Sequence, residues 1–399
     1  MKYKNQNFIE LYQYLCGKTE IPQGYNGWAA LSLLAALAEK RVWFEKFRGS
    51  KLYPNIYTLL IGPSGIGKGG AIGHALRILK AANLDPPINL YRGSTTHAHL
   101  EDVLGKPKRQ TIEDEEGEER EELVYPSAHL WLIMDELANN LGDIKLAERF
   151  IKMMTELFTG DYDMSGGTRT HGARKIESPS VNWFAGTTVD WLFDVLSRKE
   201  VFSGATARMF VCFREYQDVR FAEPESPPDY DEVLKHLIGK IRLLSVMEGP
   251  FRFTNKAQKI KNNWYMSRPR PAEDELLAAW KRGDDLVIKL CMIFSMADSD
   301  DLIIRPHHFM KARSTFDNAF KDLDLLMDLA CGTKEKEEVK LVEQIIKTEG
   351  KLNRTKLSKK VYKRGILSPK LDMIVKDIEA RGKIKITTTK TGASIYEYI

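Results

Sequence analysis

Asn55-Ile56-Tyr57-Thr58-Leu59-Leu60-Ile61 runs directly into Gly62-Pro63-Ser64-Gly65-Ile66-Gly67-Lys68-Gly69-Gly70, and a helical run, Ala71–Ala82, follows. An apolar strand, a GxxxxGK loop and a helix in that order form a phosphate-binding loop. Glycines let backbone amides wrap around phosphates, the helix N-terminus adds its positive dipole, and the lysine reaches the β- and γ-phosphates. Gly62, Pro63, Ser64, Gly65, Ile66, Gly67, Lys68, Gly69 and Gly70 are therefore expected to hold ATP. Gly69 stands where a Ser or Thr normally ligates magnesium. The metal must then be held by water or by another side chain, and a degraded, non-hydrolysing site is the competing reading.

Four later groups extend this site. The strand His129-Leu130-Trp131-Leu132-Ile133-Met134 ends in Asp135-Glu136. Asp135 is assigned to hydrated Mg2+, and Glu136 to polarising the attacking water as general base. Val181-Asn182-Trp183-Phe184-Ala185 runs into Gly186-Thr187-Thr188, where Thr187 would sense the γ-phosphate or cap a helix. Arg208, at the lip of the strand Met209–Phe213, is a candidate finger into a neighbouring copy's nucleotide, with a structural salt bridge as the alternative. Arg282, ahead of the amphipathic run Leu286–Ala297, is the candidate lid arginine on the nucleotide. The order of these groups suits one core with functional side chains at successive strand ends.

Outward from that core the 399 residues divide into an N-terminal helical region (1–50), the α/β ATPase core (51–214), a helical lid (215–331) and a small C-terminal domain (332–399). Strands are expected at Ile56–Ile61, Ile88–Tyr91, His129–Met134, Val181–Ala185 and Met209–Phe213, several of them apolar on consecutive residues like strands buried on both faces. Gly332-Thr333-Lys334 reads as a hinge. Beyond it, helices over Val339–Ile346, Leu357–Tyr362 and around Leu371, Ile374, Val375 and Ile378 precede a hairpin over Lys383–Thr389 and Ser394–Ile399, the winged-helix order.

Composition excludes several classes. Hydrophobic residues at 43% and charged residues at 29% describe a globular chain, not a disordered or fibrous one. The most apolar stretch, Trp28–Ala38, falls short of the roughly 20 residues of a membrane span, and a cytoplasmic protein is expected. Cys16, Cys212, Cys291 and Cys331 lack metal-like spacing and read as core residues. His97/His99 and His307-His308 have no third ligand near them in sequence, so no metal beyond the nucleotide's magnesium is expected.

The charge is uneven. Residues 333–399 hold 17 basic and 9 acidic residues, against a whole-chain net charge of +5. Lys356, Lys359, Lys360 and Lys370 of this tail are candidate phosphate contacts to DNA, although such domains also dock proteins. A second DNA contact is expected at a β-hairpin over Thr168–Glu177, through Arg169, His171, Arg174 and Lys175; a plain surface hairpin is the alternative. The acidic run Glu113–Glu122 reads as an exposed hairpin tip or loop.

Tyr53-Pro54-Asn55-Ile56-Tyr57, the loop Gly62–Lys68, Asp135-Glu136 and Gly204-Ala205-Thr206-Ala207-Arg208-Met209-Phe210-Val211 together resemble a P-loop helicase-like family of phages and mobile elements. The arginine box is also similar to that of AAA+ proteins, notably minichromosome-maintenance helicases, which likewise carry a winged helix after the lid. The resemblance spans roughly residues 5–330. It implies a hexameric ring that hydrolyses ATP, translocates on single-stranded or duplex DNA in replication, and works beside a separate primase or initiator. An initiator or helicase loader binding DNA through the winged helix, and a non-hydrolysing nucleotide-sensing adaptor, are the other readings.

Overall fold

The computed structural model describes residues 6–105, 108–113, 119–124, 128–141, 144–159, 164–168, 172–196, 204–217, 219–271, 276–362, 366–388 and 394–398. The chain forms two compact units, Met1–Asp324 and Leu325–Ile399.

The first unit opens with helices α1 (Phe8–Leu15) and α2 (Gln23–Ala38). Residues 42–52, expected to continue the helical region, are instead strands β1 (Val42–Phe47) and β2 (Ser50–Leu52). Val42, Trp43, Phe44 and Phe47 are β-branched or aromatic and favour a pleated surface. Then follow β3 (Tyr57–Ile61), α3 (Lys68–Ala82), β4 (Leu90–Arg92) and α4 (His97–Gly105). β5 (Lys108–Glu113) and β6 (Glu119–Val124) pair antiparallel across the acidic run, whose residues 114–118 lie outside the described residues. β7 (His129–Met134), α5 (Leu137–Leu141) and α6 (Ile144–Leu157) lead to a second antiparallel pair, β8 (Met164–Thr168) with β9 (Gly172–Ile176), and then to β10 (Ser180–Thr187), α7 (Val189–Leu196) and β11 (Met209–Phe213).

A five-stranded sheet in the order β11-β3-β10-β7-β4, parallel throughout, is the centre of a mixed α/β fold. β3, β10 and β11 are buried along their whole length, which is why they read as unbroken apolar runs rather than alternating ones.

One cover of this sheet is α2. Leu33, Leu34, Ala35 and Leu37 have no exposed surface, and Trp28 stacks on Phe210 of β11 at 5.0 Å. Burying each large side chain contributes about 1.5–3 kcal/mol as an upper bound. Two polar groups of α2 are matched across the same interface. Trp131 Nε1 donates to Ser32 Oγ at 3.0 Å. Asn182 Nδ2 donates to Ala35 O at 3.2 Å, while its Oδ1 accepts from Ile56 N at 2.9 Å. Asn182 thus ties α2 and β3 to β10.

The stretch expected to be a purely helical lid is mixed. It contains α8 (Tyr230–Leu244), β12 (Gly249–Phe253), α9 (Asn255–Ser267), α10 (Leu277–Asp298) and β13 (Ile303–Ile304). β12 and β13 join β1 and β2 in a second sheet, so this region is joined to residues 42–52. A five-residue strand and a two-residue one carry too little periodicity to be seen in the sequence. The buried Lys289 of α10 donates to Tyr53 O at 2.7 Å and to Asn55 Oδ1, just ahead of β3.

Asp298 closes the unit. Its Oδ1 accepts from Asn7, the cap of α1, and its Oδ2 faces Nε2 of His307 at 2.7 Å and of His308 at 2.9 Å. These hydrogen bonds hold the Asp298 carboxyl well below the usual carboxylate range despite partial burial. Cys16, Cys212 and Cys291 are buried thiols, as core residues should be, and burial pushes Cys16 up to about 12. The Cys331 side chain lies outside the described residues.

α11 (Pro306–Glu349) runs through Gly332-Thr333-Lys334, so the expected hinge is continuous helix. One glycine costs about 1 kcal/mol in a helix, and the Lys/Glu-rich run after it favours the helical state. The second unit continues with β14 (Lys351–Asn353), α12 (Arg354–Tyr362), α13 (Ser368–Ala380), β15 (Ile384–Thr388) and β16 (Ser394–Tyr398). Its sheet has three strands, β14-β16-β15, because Lys351–Asn353 pairs with Ile395–Glu397. Its core includes Val342, Ile346, Leu357, Val361, Leu371, Ile374, Val375 and Ile378. Among the described residues no helix is long and apolar enough to cross a membrane.

Asn182→Ala strands two buried backbone groups, and we expect it to lower the urea-unfolding free energy of the first unit by about 2–4 kcal/mol. Asp298→Asn should destabilise by about 1–3 kcal/mol at pH 7. A depressed carboxylate stabilises above its unfolded pKa and loses that contribution as pH falls toward the folded value. The wild type's advantage over Asp298→Asn should therefore fade below about pH 4, and a difference constant with pH would contradict the ionised clasp.

Candidate functional site

The loop 62–67 leaves β3 at its C-terminal end, between the neighbours β11 and β10. Successive connections depart to opposite sides of β3 there, which opens a crevice at the strand ends. The loop's shape depends on glycine at two places. Gly67, the cap of α3, has φ 104° and faces Ile21, 3.0 Å from where a Cβ would stand. A Cβ at Gly62 would lie 2.5 Å from Arg214 O and 2.7 Å from Tyr25 Oη.

Lys68 begins α3, is 6% exposed, and donates from Nζ to Gly62 O at 2.7 Å and Pro63 O at 3.0 Å. A bound phosphate would compete with two carbonyls for this ammonium. Burial pushes Lys68 down, and the charge of Glu136 opposes that shift. Burial conversely raises Glu136, while Lys68, the Thr188 backbone N–H and the Thr187 hydroxyl pull it back. Lys68, Glu136 and Thr187 thus come together at adjacent strand ends, Thr187 fully buried.

Asp135 Oδ1 and Glu136 Oε1 are buried carboxylate oxygens with no hydrogen-bond partner. Beside a loop whose Gly65 and Gly67 have positive φ, they fit a magnesium nucleotide: oxygen ligands suit that ion, and backbone amides suit phosphate. Gly69 offers open space, with nothing within 4 Å of a Cβ.

Arg208 lies elsewhere. It precedes β11, whose Met209 pairs with Tyr57 at the start of β3, whereas the loop follows Ile61 at the other end. Five residues of strand, about 16 Å, separate Arg208 from its own loop. Its guanidinium donates to Gly204 O, with Nε buried and unpaired, and is lowered to about 10 by burial and by Arg282. Arg282, expected over its own chain's nucleotide, therefore lies near Arg208 at the opposite strand ends. The reason is Lys289: it anchors α10 to Tyr53 and Asn55, and Arg282 is two turns earlier on that helix.

Of the expected DNA contacts, Arg169 and His171 lie outside the described residues, as does the Arg174 side chain. Lys175 is exposed and ion-paired with Glu177. In the second unit Lys356 and Lys359 are exposed, but Lys360 pairs with Glu349 and Lys370 with Glu338. Arg354 grips Asp372 through two hydrogen bonds, at 2.9 and 2.7 Å. The basic run is thus less open than its linear charge implies.

Three residues near the loop were missed in the sequence. Tyr25 of α2 donates from Oη to Ile61 O at 2.7 Å, immediately before the loop. Ile21 packs against Gly67 and Gly70. Arg92 of β4 pairs with Asp135. No motif marks any of them. A third metal-ligating side chain also joins His307 and His308, namely Asp298. Arg305 N donates to His308 Nδ1 at 3.0 Å, so the proton sits on Nε2 and points at Asp298. That tautomer, assigned from the hydrogen bonds, joins the three side chains in one hydrogen-bonded cluster, so the histidine pair does have a third ligand-type neighbour that the sequence reading did not expect.

No protein-family model matches the chain, and no curated protein does. Among solved structures the chain is similar to a full-length MCM homolog from Methanopyrus kandleri, with a TM-score of 0.44 and 16% sequence identity over 79% of this chain. It spans 61% of that neighbour's length.

Removing the Tyr25 hydroxyl should leave Ile61 O, next to the loop, with the Arg214 N–H at 3.0 Å but without its side-chain donor. We expect Tyr25→Phe to cost about 0.5–1.5 kcal/mol of stability and to weaken nucleotide binding several-fold by calorimetry. Unchanged affinity would separate Tyr25 from the site.

Proposed function

We propose that the chain is an AAA+-type ATPase that assembles as a homo-oligomeric ring, a hexamer, and works as a DNA helicase or translocase. The carrying observation is the separation of Arg208 from its own loop across the length of the sheet. A half-buried arginine with an unpaired Nε at one edge, and a phosphate loop with two carboxylates at the other, are complementary only between copies. In this reading Lys68, Asp135, Glu136 and Thr187 of one chain meet Arg208 and Arg282 of the next. Magnesium would be held by Asp135 and water, since Gly69 has no oxygen to offer; bound there, it would neutralise phosphate charge. Glu136, raised by burial, holds and accepts the proton of the attacking water. Lys68 leaves the Gly62 and Pro63 carbonyls for phosphate, and Thr187 orients Glu136.

The order helix, β14, α12, α13, β15, β16 in the second unit supports reading it as a winged helix beside an AAA+-type core and lid. The β8–β9 hairpin, with Arg169, His171, Arg174 and Lys175, would track the DNA backbone, and Lys356, Lys359, Lys360 and Lys370 would add phosphate contacts at the loss of two ion pairs. Replication of a phage or mobile element, in the cytoplasm beside a separate primase or initiator, rests on the sequence resemblance alone. Strand separation by the purified chain distinguishes this reading from an initiator or loader. Gly69 and the Arg92–Asp135 pair favour a second reading, a non-hydrolysing nucleotide sensor.

The test is ATP hydrolysis with and without single-stranded DNA. We expect DNA-stimulated turnover that Lys68→Ala, Glu136→Gln and Arg208→Ala each reduce by at least about 100-fold. Mixing Arg208→Ala with Glu136→Gln chains should restore part of it, because mixed boundaries pair an intact loop with an intact arginine. The acid limb of the rate should lie above the ordinary glutamate pKa, as the raised Glu136 requires. ATP binding without any hydrolysis would leave the sensor reading.

A further inference from the structure

Arg92 is the last residue of β4, and β4 pairs with β7 in a register that sets Arg92 opposite Ile133. It therefore stands at the same strand ends as Asp135. Its guanidinium donates to Asp135 Oδ2 from Nε, at 3.0 Å, and from Nη2. Arg92 is 47% exposed and Asp135 39%. A pair so exposed to solvent contributes little, too little to be what holds β4 to the sheet and little enough to be exchanged. It also leaves Asp135 Oδ1 buried and unpaired, so the arginine satisfies only half of the carboxylate.

On its other side Arg92 lines a cleft with Gly69, Gly70, Gly73, Arg77 and Lys80 of α3. Cβ atoms at Gly69 and Gly73 would meet nothing within 4 Å. A long side chain at Arg92 thus has room to leave Asp135 and lie along α3 over Gly69 and Gly73.

We propose that Arg92 is a built-in phosphate ligand of the nucleotide site, exchanging Asp135 for nucleotide phosphate when a divalent cation engages that carboxylate. This rests on the nucleotide reading of the loop. In the metal-free protein the guanidinium neutralises Asp135, which would otherwise repel the phosphates. With Asp135 engaged, its planar donor fork is released toward phosphate oxygens, the geometry for which arginine is suited. Gly69 then has a positive function: it keeps the path of Arg92 open, and the charge of Arg92 compensates for the metal ligand that Gly69 lacks.

The experiment is binding of a fluorescent ATP analogue to the full chain, by anisotropy, in EDTA and across a magnesium titration. The wild type should retain binding in EDTA. Arg92→Ala should weaken that metal-free binding by about 10-fold or more, because Asp135, no longer neutralised, then repels the phosphates. It should also lower the magnesium concentration for half-saturation, because Asp135 no longer has a competing cation. Arg92→Lys, which keeps the charge but not the fork, should fall between. Gly69→Ser should shrink the effect of Arg92→Ala. Wild-type values in EDTA and in the magnesium titration for both Arg92 variants would overturn the proposal. Binding that survives Lys68→Ala unchanged would instead overturn the nucleotide reading beneath it.

Discussion

The burial of α2 beneath the parallel sheet is the constraint on which the rest of the structure depends. A helix apolar on nearly every face cannot stay at a surface, and here it is enclosed by α1, α3, α8, α10 and strands β3, β10 and β11. Two of its polar groups are spent inward, with Ser32 meeting Trp131 and the Ala35 carbonyl meeting Asn182. Because Tyr25 and Ile21 belong to the same segment, this packing reaches directly under the glycine loop. The N-terminal region therefore supports the loop rather than preceding it as a separate part.

Electrostatics divides the sheet into two edges. At the C-terminal strand ends, Lys68, Glu136, Asp135 and Arg92 form an alternating set of cations and carboxylates; burial pushes Lys68 down and Glu136 up, and their mutual attraction opposes both shifts. At the N-terminal ends, Arg208 and Arg282 lie close together, and each cation's charge acts against the other's. An arginine pair of that kind gains from an anion brought to it. In the proposed ring, one end of the sheet would hold phosphate and the other would bring arginines to a neighbouring copy's phosphate.

The parallel core was readable from the sequence because its strands are apolar on consecutive residues and its loop has a fixed order of residue types. Much of the candidate site followed, since Lys68 ends the glycine loop after one apolar strand, Asp135-Glu136 end a second and Thr187 ends a third. The partners that act on them were not readable. Arg92 sits on a three-residue strand, and Tyr25 lies 36 residues before the carbonyl it serves. The tail shows the converse error. Lys351, Arg354 and Lys360 form a basic run in the sequence, yet Glu397, Asp372 and Glu349 reach them from other elements.

What the sequence determined by itself was therefore local: where most strands of the parallel sheet run, where the glycine loop begins and which acids end the neighbouring strand. Backbone preference and hydrophobic period act over a few residues, so they leave marks that can be read in order. Tertiary structure alone decided which side chains face one another. It placed Arg208 and Arg282 away from their own loop, seated Tyr25 and Ile21 beneath it, set Arg92 on Asp135 and drew Asp298 onto two histidines. Those pairings arise from strand register and helix packing, where residues far apart in the chain meet within a few ångströms and no linear pattern records the meeting.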